Sequence, residues 1–308
     1  MMENISKKPV TSNQIPDNRL CPFFSVLCTL VSGFLMFNLA PNAQAQQWKE
    51  MGSEHFICYF NGDEAFIKDV LSKSEVYYGQ IALDLGYPRY SEFWTYEKRV
   101  KIYIYPDHAS FIKATGQPKW SHGMADYSNK EIVGYLWSEE FIDSILPHEM
   151  AHLVFRDFVG FAGEIPLWLD EGVAQHAETA RQDRFKSFIK QLYDEDKLLS
   201  IDDLMHLDVR KLKEIDRIYV RVTRNKEGKA TALFLSTDSL ISNYYAVSVS
   251  VVGFLIDKYG SGRFSNFCRE LRDGKIVEDA LKVAYAPNLN DLNELEAKWR
   301  EYLAKGCK

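Results

Sequence analysis

The sequence predicts an α+β fold: a strand-bearing first part, then a mainly helical C-terminal lobe. Three observations predict it. Arg99–Tyr105 alternates, with Val100, Ile102 and Ile104 on one face and Lys101, Tyr103 and Tyr105 on the other, the period of a half-buried strand. Strand-like segments come first and helical periodicities second, which favours α+β over a regular β-α alternation. Hydrophobic residues make up 46% and charged residues 26% of 308, enough to bury a core without disulfide staples.

The elements follow in order. Residues 1–20 are polar and carry Lys7, Lys8 and Arg19; an apolar stretch from Pro22 to Ala40 follows, then Ala43-Gln44-Ala45. This reads as a secretory leader cut after Ala45. The alternative is an uncleaved anchor, because residues 22–40 approach the ~20 needed to span a bilayer. Either way the chain is expected outside the cytoplasm, secreted or in the cell envelope, with a membrane tether through 22–40 in the second case. His55–Phe60 reads as a strand, and Glu64 to Leu85 as a helix with Phe66, Val70, Tyr77, Ile81 and Leu85 on one face, ended by Gly86-Tyr87-Pro88. After the Arg99–Tyr105 strand, His108 to Thr115 reads as a short helix stopped by Gly116. Gly123–Tyr127 and Glu131–Trp137 form a hairpin through Ser128-Asn129-Lys130. Asp143 to Phe158 is a helix with Pro147 in its first turn or so, where a missing N–H costs least. Pro166 opens the next helix, Leu167 to about Ala180. Ile218–Arg224 and Ala230–Ser236 flank a turn and read as a second hairpin. Ser239–Tyr259 and Asp291–Leu303 are helices, the last with Leu292, Leu295, Trp299, Tyr302 and Leu303 along one face. The chain turns charged near Arg181–Arg184, so the expected units are 46–182 and a C-terminal lobe over 183–308.

Charge and cysteines exclude some functions. A net charge of −6 and a pI near 5.7 argue against nucleic acid as a partner, since phosphate binding wants a basic face. Of five cysteines, Cys21 and Cys28 would leave with the leader; Cys58, Cys268 and Cys307 then allow at most one internal disulfide. Cys268–Cys307 is the favoured pair, and three free thiols are the alternative. No CxxC spacing occurs, which argues against a cysteine zinc site.

Leu146-Pro147-His148-Glu149-Met150-Ala151-His152 carries chemistry. Histidines four apart lie on one helical face, Cβ atoms roughly 5–6 Å apart, and can converge on one metal ion. Glu149 lies about 60° round the helix from His152, so it flanks such an ion without ligating it. There it can take a proton from water whose pKa the metal lowers. The helix is apolar around the motif, with Ile145, Leu146, Leu153, Val154 and Phe155, which argues against two solvated histidines. Glu171, 19 positions after His152, supplies a third ligand and leaves one coordination position open.

HExxH, eighteen intervening residues and then Glu resembles the gluzincin arrangement of zinc peptidases. Trp168-Leu169-Asp170-Glu171-Gly172-Val173-Ala174 with Glu178 is similar to the W-L-x-E-G-x-A-x-x-x-E stretch of the aminopeptidase N family. The layout resembles still more the smaller secreted peptidase MA-like proteins, where a short mixed sheet precedes L-P-H-E-x-x-H and a helical tail follows. The resemblance implies a thermolysin-like fold and hydrolysis of a peptide or protein substrate. It implies one Zn2+ held by His148, His152 and Glu171, with Glu149 as general base. The Glu131–Trp137 strand or its Gly123–Tyr127 partner would be the edge beside the cleft, available to pair with an extended peptide. Gly123-Met124-Ala125-Asp126 is similar to a glycine-containing exopeptidase motif but lacks its Glu. Relatives place a Tyr or His from the helical lobe at the oxyanion. The candidates here are Tyr245, whose run resembles the start of a helix in the relatives, and Tyr244, with a core-aromatic role as the alternative. His176 is a further candidate, with a helix-surface role as its alternative. Gln175 stands where some gluzincins have an Asp that orients a histidine, a role then open to Asp170 or Glu178.

Other readings remain beside these. One is a non-catalytic peptide- or protein-binding module on the same scaffold; another is a structural zinc site in an envelope protein. His55, His108, His122 and His206 read as structural or exposed, and Asp208 to Glu214 as a solvated helix face. Trp94, Tyr96, Trp120 and Trp137 read as core aromatics.

Overall fold

The computed structural model describes residues 48–86, 94–119, 121–136, 140–161, 165–212 and 217–306. The leader expected over 1–45, Trp120, Trp137 and Cys307 lie outside these residues, and so does the Cys268–Cys307 pairing. Cys58 and Cys268 are buried free thiols, and burial pushes the Cys58 thiol up to about 12.

Among the described residues five strands form one sheet in the order β1-β2-β3-β5-β4. β1 (Lys49–Gly52) runs antiparallel to β2 (Phe56–Phe60), and β2, β3 (Val100–Tyr105) and β5 (Glu131–Tyr135) are parallel. β4 (Met124–Asp126) closes the edge antiparallel to β5. The mixed sheet with its helices bears out the α+β expectation.

Local chemistry starts and stops the helices. Asp63 caps α1 (Glu64–Asp84), its Oδ1 accepting from the Ala65 N–H at 2.8 Å. Asp107 does the same for α2 (His108–Thr115), which ends at Gly116 in the left-handed region at φ 68°. The sheet's alternation then sorts its faces. Phe56, Cys58, Val100, Ile102, Ile104 and Ile132 face the main core with α1 and the motif helix. Val133 and Tyr135 face the other way and pack with Phe111 of α2. Each such fully buried side chain contributes about 1.5–3 kcal/mol.

The motif helix α3 (Leu146–Val159) is entered through a π-helical turn at Phe141–Ile145, two residues earlier than the sequence suggests. Pro147 explains the wide turn: it has no N–H to donate and its ring crowds the carbonyl one turn back. α4 (Leu167–Ala177) follows, then a 3-10 turn at Thr179–Arg181. After it come α5 (Gln182–Asp194), α6 (Ile201–His206) and a 3-10 turn at Val209–Lys211. The hairpin β6 (Ile218–Arg224) and β7 (Ala230–Ser236) leads into α7 (Thr237–Tyr259). α8 (Ser261–Arg272), α9 (Val277–Tyr285) and α10 (Leu292–Ala304) complete the lobe. One contiguous core runs from Phe56 to Leu303, across the expected 182/183 boundary. α7 is long and apolar enough to cross a membrane, yet 67% of its apolar window is buried inside the fold, as befits a core helix.

Two expectations are corrected. Tyr96 is 81% exposed rather than core, because it opens a surface 3-10 turn at φ 54°. Trp94 is fully buried, its Nε1 donating to Asp157 at 2.8 Å. Asp208 to Glu214 is not a solvated helix face: Val209 is buried in the short turn, which packs on α7. Lys213 and Glu214 lie outside the described residues.

Gly172 sets how closely α4 meets α7. A Cβ there would stand 2.7 Å from Val252 Cγ2 and 2.8 Å from the Ser248 carbonyl oxygen. Alanine's better helix propensity, about 1 kcal/mol, is opposed by overpacking of about 1–3 kcal/mol. The clash wins because one partner is backbone. Gly172→Ala should therefore lower the urea unfolding midpoint, and an unchanged or raised midpoint would mean the two helices separate freely.

Candidate metal centre

α3 and α4 bring three of the expected side chains together. His148 Nε2 and His152 Nε2 stand 3.3 Å apart, and His148 Nε2 is 3.7 Å from Glu171 Oε2. The three ligand atoms lie within 4.8 Å of one another, and all three residues are buried. Two ligands about 2.0–2.2 Å from a tetrahedral ion stand about 3.3–3.6 Å apart, so the spacing suits one small cation.

The far side of each imidazole is also held. His148 Nδ1 is 2.9 Å from Glu178 Oε1, and His152 Nδ1 is 2.9 Å from Asp170 Oδ1. An ionised carboxylate only accepts, so each Nδ1 carries the hydrogen and each Nε2 is left with its lone pair. Two lone pairs facing each other at 3.3 Å need a cation between them, a proton or a metal. Glu171 Oε2 is buried and makes no hydrogen bond, which a metal would remedy. Four carboxylates, Glu149, Asp170, Glu171 and Glu178, are each at most 2% exposed. Such a density of buried negative charge fits a dication.

The titration shifts agree. Burial pushes the Glu171 carboxyl up to about 7, against the pull of His152 and His148. Burial opposes charge on His152, yet Asp170, by charge and hydrogen bond, with Glu171 and Glu149, raises it to about 9. Without metal, His152 thus keeps the proton that the facing nitrogens require.

Of the two residues offered for orienting a histidine, both do so, one to each ring, and they run antiparallel along the helix pair. Glu178, where α4 ends, reaches back to the start of α3; it also accepts from Ser144 Oγ at 2.6 Å and Arg181 Nη1 at 3.2 Å. Gln175 meets neither histidine, and its buried Oε1 has no partner.

Glu149 is fully buried beside the cluster. A Cβ on Gly123 would lie 2.5 Å from Ile145 Cγ2 and 3.8 Å from Glu149 Cγ, so the start of the edge strand lies against this carboxylate. Of the two strands offered as the cleft edge, the one in the Gly123–Tyr127 segment holds that position.

The helical-lobe candidates divide. Tyr244 is 1% exposed, and its hydroxyl accepts from the Trp168 backbone N–H at the start of α4; burial pushes the phenol well up. That is a packing role. Tyr245 stands edge-on to Tyr244 at 5.9 Å and is 8% exposed. It lies within electrostatic reach of Arg210, as does Glu171. The Arg210 guanidinium donates to both oxygens of Asp208, at 2.9 and 3.0 Å, and Asp208 and then Glu171 favour its charge. His176 faces elsewhere, toward Asp84 and Asp257, lining a separate cavity of about 170 Å³.

Sequence reasoning missed Arg210, and also Tyr127, whose ring meets His152 edge-on at 6.3 Å under the Arg156 guanidinium. Neither has a local signature; both arrive from distant segments. His55, read as structural, pairs with Glu75 at 2.6 Å, and His206 is exposed. His108 and His122 sit together, ring centroids 5.4 Å apart, with His122 Nδ1 2.7 Å from the Tyr135 hydroxyl.

Residues 94–211 match the family model of the Peptidase MA superfamily, a span that contains the whole cluster. The match supports a relation to gluzincin-like peptidase MA proteins and suggests a peptidase-like scaffold; that superfamily is typically metal-dependent, which agrees with the His148, His152 and Glu171 cluster. No curated protein matches the chain.

Proposed function

We propose that this protein is a zinc-dependent peptidase that cleaves peptide bonds outside the cytoplasm. The observation that carries the proposal is the buried convergence of His148, His152 and Glu171 with Glu149 beside them. Two imidazoles and one carboxylate with a position left open is the donor set of a catalytic zinc. When bound, the ion would polarise the scissile carbonyl and make water more acidic. The chain's own residues do the rest. An extended peptide pairs with the outer edge of β4, which has no partner strand among the described residues and begins against Glu149. Glu149 accepts a proton from the attacking water and returns it to the leaving amine. Tyr245, assisted by the neighbouring Arg210 charge, donates to the oxyanion that develops on the carbonyl. A binding module would have no use for a buried carboxylate at position 149, so hydrolysis is the better reading.

Elemental analysis and a peptide-library digest test this together. The expected result is about one zinc per chain and cleavage that a chelator abolishes and zinc restores. A zinc-loaded chain that leaves every library peptide intact would overturn the catalytic reading while leaving the metal site standing.

A further inference from the structure

The hairpin β6–β7 has one face packed and one face in solvent. Thr223, Leu233 and Leu235 are buried, and Arg221 turns inward to within 3.8 Å of Asp203. On the outer face Ile218, Val220, Val222 and Phe234 are 60%, 54%, 66% and 72% exposed. The register sets Val220 opposite Phe234 and Val222 opposite Ala232, so they form one apolar stripe. Scattered surface apolar residues are ordinary; a contiguous ribbon of β-branched and aromatic side chains marks a contact surface.

The residues around the stripe are basic. Arg224 shares its face, Arg217 precedes it, and Lys226 and Lys229 stand at the exposed tip. Apart from the inward Arg221, segment 217–236 holds four basic residues and one acidic one, in a chain whose net charge is −6. Positive charge is thus concentrated where the apolar surface is.

We propose that this hairpin face docks on an anionic lipid surface. Apolar side chains flanked by Lys and Arg suit the boundary between acyl chains and negative headgroups. Each basic residue near such a surface strengthens binding about fivefold. A second copy placed face to face would set the basic tip and Arg217 against like charges, which disfavours self-pairing. The proposal is independent of the peptidase reading, since the hairpin contributes nothing to the metal cluster.

The test is amide hydrogen exchange on the full chain with vesicles, read in peptides covering 217–236. This local readout stays informative even if residues 22–40 enter the bilayer. With phosphatidylcholine vesicles containing about one third phosphatidylglycerol, exchange in the hairpin should slow at low salt. It should recover at about 0.5 M salt, where the screening length is only roughly 4 Å. Two double variants, Val222→Asn with Phe234→Ser and Arg224→Glu with Lys229→Glu, should each return exchange to the vesicle-free rate. All four positions are exposed, so thermal unfolding should not change. Equal protection by pure phosphatidylcholine would overturn the proposal. So would protection that follows protein concentration without vesicles, which is self-association. So would parent-like protection in both variants.

Discussion

Glu149→Gln will hold zinc as the parent does and hydrolyse peptides about 10²- to 10⁴-fold more slowly. The amide is isosteric with the carboxylate, so the buried space beside Gly123 stays filled and the ligand triad is undisturbed. What changes is basicity: a neutral amide cannot take the proton from water. Metal content and kcat/KM measured on the same preparation separate the two effects. Parent-like kcat/KM in a zinc-loaded variant would remove Glu149 from the mechanism, and loss of zinc along with activity would recast it as a structural residue.

Asp170→Asn and Glu178→Gln will each weaken metal binding by about 10- to 100-fold. Both carboxylates fix the hydrogen on Nδ1 and aim the opposite nitrogen at the ion, at 2.9 Å in each case. Competition with a chromophoric chelator reads the affinity. Glu178→Gln should be the worse of the two, because Glu178 also binds Ser144 and Arg181. The same sites give a pH signature. Glu171 and His152 are both raised, to about 7 and about 9, in the metal-free protein. Their protonated forms therefore favour the metal-free fold in acid. The Glu171 contribution is complete below the ordinary carboxyl value near 4.3 and is lost as pH rises through about 7. The His152 contribution is complete below about 6.5 and is lost as pH rises through about 9. Zinc must displace those protons, so its stabilisation moves the opposite way. The Tm difference between loaded and chelated protein should widen from about pH 5 to pH 8; a difference that narrows would contradict both assignments.

Much of the centre was legible in the chain. HExxH is a local pattern, because residues four apart share a helical face whatever surrounds them. The sheet strand at Arg99–Tyr105 was legible for the same reason, its alternation surviving intact as buried and half-buried positions. α5 carried a readable signal too, with Phe185, Ile189 and Leu192 at helical spacing, but the charges around Arg181–Arg184 look like a boundary. Which carboxylate orients which histidine was not legible. That depends on the antiparallel run of α3 and α4, and nothing in either segment alone sets the direction. Arg210 and Tyr127 are harder still, since each reaches the centre across more than twenty positions from its nearest ligand and without a motif.

Glu178 is both the residue at which α4 stops and the one that grips His148. A helix terminus and a candidate metal-ligating imidazole are therefore fastened by a single carboxylate. The same carboxylate accepts from Arg181 in the Thr179–Arg181 turn, so the His148 ring and that turn share one anchor. Glu178→Gln should therefore loosen the junction between α4 and α5 along with the His148 ring, and faster proteolytic nicking just after residue 178 would report it.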